Sequence, residues 1–195
     1  AAAARIEGDK AYAKKLMKVA HVPTAEARVF QRFIEAKAYV ATRETGVVVK
    51  AAGLAAGKGV LVCPDPADAL LALERFMVAR EFGAAGDTVV VEELLKGPEL
   101  SVHALVDGQT IYVLESAQDH KAIGDGDTGH NTGGMGAYSP APVATPEVLA
   151  VVERDILVPI VDALRNDGAP YRGVLYVGLM LTAGGAKVLE FNCRF

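Results

Sequence analysis

Three pairs of apolar, β-forming runs are each joined by a short glycine-bearing turn, and this pattern constrains the fold more than any other. Residues 47–50 (Val-Val-Val-Lys) lead through the glycine-rich turn at 53–59 into residues 60–63. Residues 100–106 and 110–114 are joined through Asp107-Gly108, a strong hairpin dipeptide. Residues 173–182 and 186–195 flank Ala183-Gly184-Gly185. Strands joined by so few residues pair antiparallel, because a parallel return needs a crossover of about a dozen residues or more. Helical spacing of apolar residues predicts helices over 7–20, 33–42, 65–80 and 145–166, and short strands fit 27–30 and 88–92. Residues 116–141 are polar and glycine-rich and read as one long loop, a length that in compact domains points to function or disorder. The mixture predicts an α+β fold in two small lobes that meet near 94–97.

Composition narrows the function. Of the 195 residues 51% are hydrophobic, enough for a real core, so a disordered chain is excluded. Lys plus Arg number 20 against 24 Asp plus Glu, a net charge of −4 that argues against a grip on nucleic acid by bulk electrostatics. No tryptophan and 6% aromatics disfavour a base-stacking platform. No apolar run has the length of a membrane span, and residues 1–10 lack the apolar core of a signal peptide. Cys63 and Cys193 lie far apart in apolar runs and read as buried free thiols of a reducing, cytoplasmic compartment. Four alanines at the start and a last residue, Phe195, straight after an apolar run suggest a domain cut from a longer polypeptide.

Three groups of residues could carry chemistry. The turn from Gly53 through Gly57, Lys58 and Gly59 offers backbone N–H groups and one cation, as a phosphate cradle does. It is not a Walker A loop: only three residues separate its glycines and Gly59 follows the lysine. Gly124 to Gly129 matches GxGxxG by coincidence, with no strand before and no helix after. Glu190, Asn192 and Arg194 are spaced by two, so one strand face would carry all three while Leu189, Phe191, Cys193 and Phe195 fill the core. A carboxylate and an amide oxygen suit Mg²⁺ and a guanidinium suits a phosphoryl group, although a solvent-facing polar stripe explains the spacing as well. Lys50 ends an apolar run and needs water or an anion, and Glu92-Glu93 ends another.

Five segments occur together in one order: residues 49–60, 91–95, 118–121, 131–142 (Asn-Thr-Gly-Gly-Met-Gly-Ala-Tyr-Ser-Pro-Ala-Pro) and 189–195 (Leu-Glu-Phe-Asn-Cys-Arg-Phe). In these the chain strongly resembles the central ATP-grasp part of the phosphoribosylamine–glycine ligase (glycinamide ribonucleotide synthetase) family of purine biosynthesis. The resemblance runs essentially end to end. It implies an ATP-grasp domain over 1–195, with a smaller nucleotide-covering lobe at 22–95 and a larger catalytic lobe made of 1–21 with 96–195. The nucleotide would lie between the lobes, and N- and C-terminal domains of the same chain would flank them. A fragment of this kind is expected to fold but to be inactive alone.

The resemblance also implies roles. Lys10 and Lys50 would neutralise nucleotide phosphates, Gly53, Gly57, Lys58 and Gly59 would close over them, and Arg194 would offset charge on the acyl phosphate. Glu92, Glu93 and Leu95 would belong to the segment that reads adenine, and Glu99 would accept ribose hydroxyls. Glu190 and Asn192 would hold Mg²⁺, with Mn²⁺ as the alternative metal. Asp119, His120, Lys121, Asn131, Gly133 and Gly134 would face the substrates glycine and 5-phosphoribosylamine. The reaction would pass through glycyl phosphate. Another ATP-grasp carboxylate–amine ligase and a non-catalytic nucleotide-binding module are the competing readings. The chain departs from the family pattern at Ala52, Pro98, Ala122 and His130, where aspartate, glutamate, arginine and proline are usual.

Overall fold

The computed structural model describes residues 2–55, 58–125 and 128–195. Contacts divide the chain into two compact units. Ala1–Val19 with Thr24–Leu95 form the first, and Ala20–Pro23 with Lys96–Phe195 the second. The N-terminal helices α1 (Arg5–Gly8) and α2 (Lys10–Val19), expected with residues 96–195, therefore cluster with the first unit. Backbone and charge tie them there: Lys10 N donates to Ala52 O at 2.9 Å, and Lys14 pairs with Glu92.

The first unit is a four-stranded antiparallel sheet with helices against it. Its strands are β1 (Ala27–Phe30), β2 (Val47–Ala51), β3 (Val60–Cys63) and β4 (Val89–Glu93), in spatial order β1-β4-β2-β3. Val47, Val49, Ala51, Val89 and Val91 turn to a core that includes Ala36 and Val40 of α3 (Phe33–Val40). Leu73 of α4 (Pro66–Leu73) and Phe76 complete it. Alternation of side chains along each strand leaves Val48, Lys50, Val90 and Glu92 on the other face. Asp65 caps α4, its Oδ1 accepting from Ala67 N (2.8 Å) and Asp68 N (2.9 Å), with Pro66 in the first turn. The helix expected over 65–80 stops being α-helical at Leu73 and continues as a π-helical turn over Glu74–Val78.

The second unit holds a second antiparallel sheet in order β10-β9-β5-β6, from β5 (Glu99–Val106), β6 (Ile111–Val113), β9 (Gly173–Thr182) and β10 (Gly185–Arg194). Leu100, Val102, Ala104, Leu175, Val177, Leu179, Val188 and Phe191 are buried. Residues 116–141, expected as a loop, instead contain β7 (Gln118–Gly124) and β8 (Thr128–Tyr138), paired antiparallel as a sheet of their own. The pairing is backbone-made, with shifts after His120 and Ala122, which is why a glycine-rich polar sequence gives no period-two signal. It joins the larger sheet where Ser101 and Ala117 exchange N–H···O bonds of 2.8 and 2.9 Å.

The helix expected over 145–166 is two, α5 (Pro146–Val152) and α6 (Val158–Asn166), separated by a π-helical turn at Glu153–Leu157. Pro159 has no N–H to return to the preceding turn, a local reason for the widened helix. Ile156, Leu157, Ile160 and Leu164 are nevertheless fully buried, so the amphipathic period survives the interruption.

Candidate functional site

In the first unit Val48 stands opposite Glu92 and Lys50 opposite Val90, so Lys50 and Glu92 are diagonal neighbours on one sheet face. Lys50 Nζ lies 3.0 Å from Glu92 Oε2. Lys14 Nζ, reaching in from α2, lies 3.1 Å from Glu92 Oε1, an ion pair by distance rather than an aligned hydrogen bond. Lys14 also donates to Thr24 Oγ1 (2.7 Å) and Ala25 O (3.1 Å). All three charged residues are buried, at 9%, 6% and 3% exposure for Lys14, Lys50 and Glu92. Two ammonium groups share one carboxylate. Burial holds the Lys14 pKa below the ordinary lysine value, the Glu92 charge opposes this, and the neighbouring Lys50 charge pushes it further down.

On the same face Val60 and Val62 of β3, opposite Lys50 and Val48, are exposed. An apolar strip therefore borders the ammonium cluster, a surface suited to a planar ring carrying anionic groups.

The glycine-rich turn is held at its root. Lys10 Nζ donates to Gly53 O at 3.1 Å, and Gly53 N donates to Ala85 O at 3.1 Å. A Cβ on Gly53 would lie 2.7 Å from the Ala85 Cα, so close approach of two backbones requires glycine there. Gly59 O accepts from Ala51 N at 2.8 Å, and Lys58 is exposed. Gly57 lies outside the described residues. Glu93 is tied back to the strand edge: its Oε1 accepts from Glu26 N at 3.0 Å. Leu95 is half-buried at the end of the unit.

In the second unit the cross-strand register assembles a polar face. Glu190 pairs with Gly178 and Gly178 with Ser101; Asn192 pairs with Tyr176 and Tyr176 with His103; Glu99 stands opposite Met180. Paired residues project to one side, so Glu99, Ser101, His103, Tyr176, Glu190, Asn192 and Arg194 share it. Ser101, His103 and Tyr176 were not singled out from sequence, although the period-two spacing of Glu99, Ser101 and His103 carried the signal. Tyr176 Oη lies 3.2 Å from Ser101 Oγ, and its ring meets the His103 ring edge-on at 5.2 Å. Burial lowers the His103 pKa and the Arg194 charge lowers it further.

Of the four residues expected on the core side of the last strand, only Phe191 is buried. The register slips between Val188 and Glu190, a bulge at Leu189 that puts Val188 and Phe191 in the core. Leu189 and Cys193, both expected to be buried, are only half-buried, and Phe195 is fully exposed with φ 71°. The bulge leaves Glu190, Asn192 and Arg194 in phase with one another, because all three lie beyond it.

Asn192 Nδ2 lies 3.5 Å from Glu190 Oε1, and both residues are half-buried. A Cβ on Gly178 would come within 3.3 Å of Glu190 Cγ and 3.1 Å of Tyr176 Oη, so the missing side chain opens room for the carboxylate. This two-donor set fits a magnesium ion that keeps waters and phosphate oxygens as its other ligands. Among the described residues no group of three or more His, Cys, Asp or Glu could hold a metal by itself. Arg194 is exposed, its guanidinium donating to Cys193 O at 3.0 Å.

Asp119 pairs with Ala137 and His120 with Gly136 in the β7–β8 ladder, and the His120 ring lies 5.4 Å from that of Tyr138. Asn131 pairs with Ala122. Lys121, Gly133 and Gly134 also lie on these two strands, which therefore carry all six positions assigned to substrate.

Comparison with known proteins identifies the family and the fold. Residues 8–195 match the model of the phosphoribosylglycinamide synthetase ATP-grasp (A) domain. A phosphoribosylamine–glycine ligase of Rhodopirellula baltica is 54% identical over the whole chain, which spans 46% of that protein. The bifunctional purine biosynthetic protein PUR2,5 of Pichia angusta is 50% identical, again over the whole chain, which spans 25% of it. The crystal structure of a Thermotoga maritima phosphoribosylamine–glycine ligase superposes with a TM-score of 0.87 at 34% identity, over 99% of this chain and 49% of that one. The fold is thus ATP-grasp, and the chain spans about half the length of the single-function relatives it matches. With 188 consecutive residues matched, this chain belongs to the phosphoribosylglycinamide synthetase family, as its ATP-grasp (A) domain.

Proposed function

We propose that this chain is the nucleotide-activating domain of an ATP-dependent ligase that joins glycine to 5-phosphoribosylamine, yielding glycinamide ribonucleotide, ADP and phosphate. The observation that carries the reading is the polar row of the second sheet, with Glu190 and Asn192 side by side, Arg194 beyond them and a glycine opposite Glu190. The names of the relatives supply the substrates.

On this reading Lys50, Lys10 and Lys58 neutralise phosphate charge, the strip at Val60 and Val62 covers the purine, and Glu99 accepts the ribose hydroxyls. The carboxylate of glycine attacks the γ-phosphorus, and ADP leaves as the glycyl phosphate forms. The amine of 5-phosphoribosylamine then attacks the acyl carbon, phosphate departs, and the nitrogen loses a proton. Arg194 offsets the charge of the acyl phosphate, and β7 and β8 present Asp119, His120 and Lys121 to the substrates. Such chemistry asks for positioning and charge neutralisation, which is why no protein nucleophile is needed. Glu190 and Asn192 would hold Mg²⁺, or Mn²⁺ in its place, which screens the triphosphate. Domains on either side of this chain in its parent protein would complete the substrate sites, and the two free thiols suit a cytoplasmic enzyme.

The test is phosphate release by the full parent protein with Mg-ATP, glycine and 5-phosphoribosylamine. Release that requires all three is expected. Release indifferent to the amine, or none at all, rejects the assignment.

A further inference from the structure

Lys14 is a buried titratable group for which the proposed chemistry has no use. It sits on α2, one turn beyond Lys10, and its ammonium group reaches the far oxygen of the carboxylate that holds Lys50. Glu92 alone would neutralise Lys50 almost completely, since the two are 3.0 Å apart and both shielded from water. A second ammonium on Oε1 divides that carboxylate's charge. Thr24 Oγ1 and Ala25 O fix Lys14 in place, so the division is built in rather than incidental.

We propose that Lys14 is a positioning residue for nucleotide binding: by sharing Glu92 it weakens the hold of that carboxylate on Lys50, so that the Lys50 ammonium group can meet a phosphate. The inference rests on the assignment of Lys50 to a nucleotide phosphate. Burial lowers the Lys14 pKa most, Glu92 opposes that shift and Lys50 adds to it, so the three charges titrate as one coupled group. Without Lys14 the carboxylate and Lys50 would form a closed neutral pair, and phosphate would have to compete with Glu92.

The prediction is a reversal that ordinary loss of packing would not produce. In the full parent protein Lys14→Met is expected to weaken Mg-ADP binding by roughly tenfold. Adding Glu92→Gln to that variant is expected to restore most of the affinity, because the competing carboxylate is gone. Calorimetric titration of wild type, K14M, K14M/E92Q and K50A with Mg-ADP reads all of this. Wild-type binding that K50A does not weaken overturns the phosphate role of Lys50 itself. Binding that depends on Lys50 but is unchanged in K14M, or is no stronger in K14M/E92Q than in K14M, overturns the role of Lys14. Lys14→Gln, which keeps a donor for Thr24 and Ala25 without the charge, carries the same comparison if the methionine variant does not fold.

Discussion

Gly178 stands directly opposite Glu190 in the closing hairpin, and a Cβ at that glycine would fall 3.3 Å from the Glu190 Cγ. The room for the acidic side chain is made by the strand beside it. Gly178→Ala should therefore press on both Glu190 and the Tyr176 hydroxyl, 3.1 Å away. We expect a loss of about 1 kcal/mol in stability and a severalfold rise in the magnesium concentration needed for nucleotide binding. Denaturant melts together with ADP titrations at several magnesium levels check this; wild-type magnesium dependence in the variant would dismiss the steric link.

The Lys14–Glu92–Lys50 cluster predicts an asymmetry between two truncations. Lys50→Ala leaves Glu92 with Lys14, a balanced pair, and should fold with modest loss while binding Mg-ADP far more weakly. Glu92→Ala leaves two ammonium groups buried together and should cost about 3–5 kcal/mol. Urea unfolding of both variants with equal m-values measures the contrast, and similar midpoints would contradict the charge accounting.

His103 gives a pH signature. Burial first, and the Arg194 charge second, hold its pKa below the ordinary value of about 6.5, so the unfolded chain binds the proton more readily. The group costs nothing above that value, where it is neutral in both states. Its penalty grows as the pH falls from about 6.5 toward the folded pKa and then levels off. Subtracting the stability profile of His103→Gln from that of wild type should isolate this slope. Arg194→Ala should raise the His103 pKa in an NMR titration without restoring it to the ordinary value, because burial remains.

The two thiols should differ in reactivity. Burial, with Asp68 next in weight, pushes the Cys63 pKa up to about 11, so its thiolate is scarce at neutral pH. Cys193 is half-buried on the last strand. Thiol reagents should label Cys193 first, and Cys63 only on unfolding, as peptide mapping after a timed pulse would show.

Much of the fold was legible in the chain itself. The three hairpins announced themselves because β-branched runs and glycine turns act locally, and the ladders Val47–Ala51 with Val60–Cys63 and Gly173–Thr182 with Gly185–Arg194 fall where those signals put them. Asp65 and Thr145 marked helix starts because a cap is a contact within four residues. β7 and β8 stayed hidden because their pairing is carried by backbone groups, which glycine-rich polar sequence neither favours nor advertises.

Residue order alone thus determined the antiparallel hairpins, the family pattern and the in-phase spacing of Glu190, Asn192 and Arg194. Only the tertiary structure decided that α2 packs with residues 24–95, that Lys14 shares Glu92 with Lys50, and that Gly178 faces Glu190. Turns, caps and alternation are written in neighbouring residues. Ion pairs such as Lys14–Glu92 join groups dozens of residues apart, and their geometry exists only once the sheet has set its register.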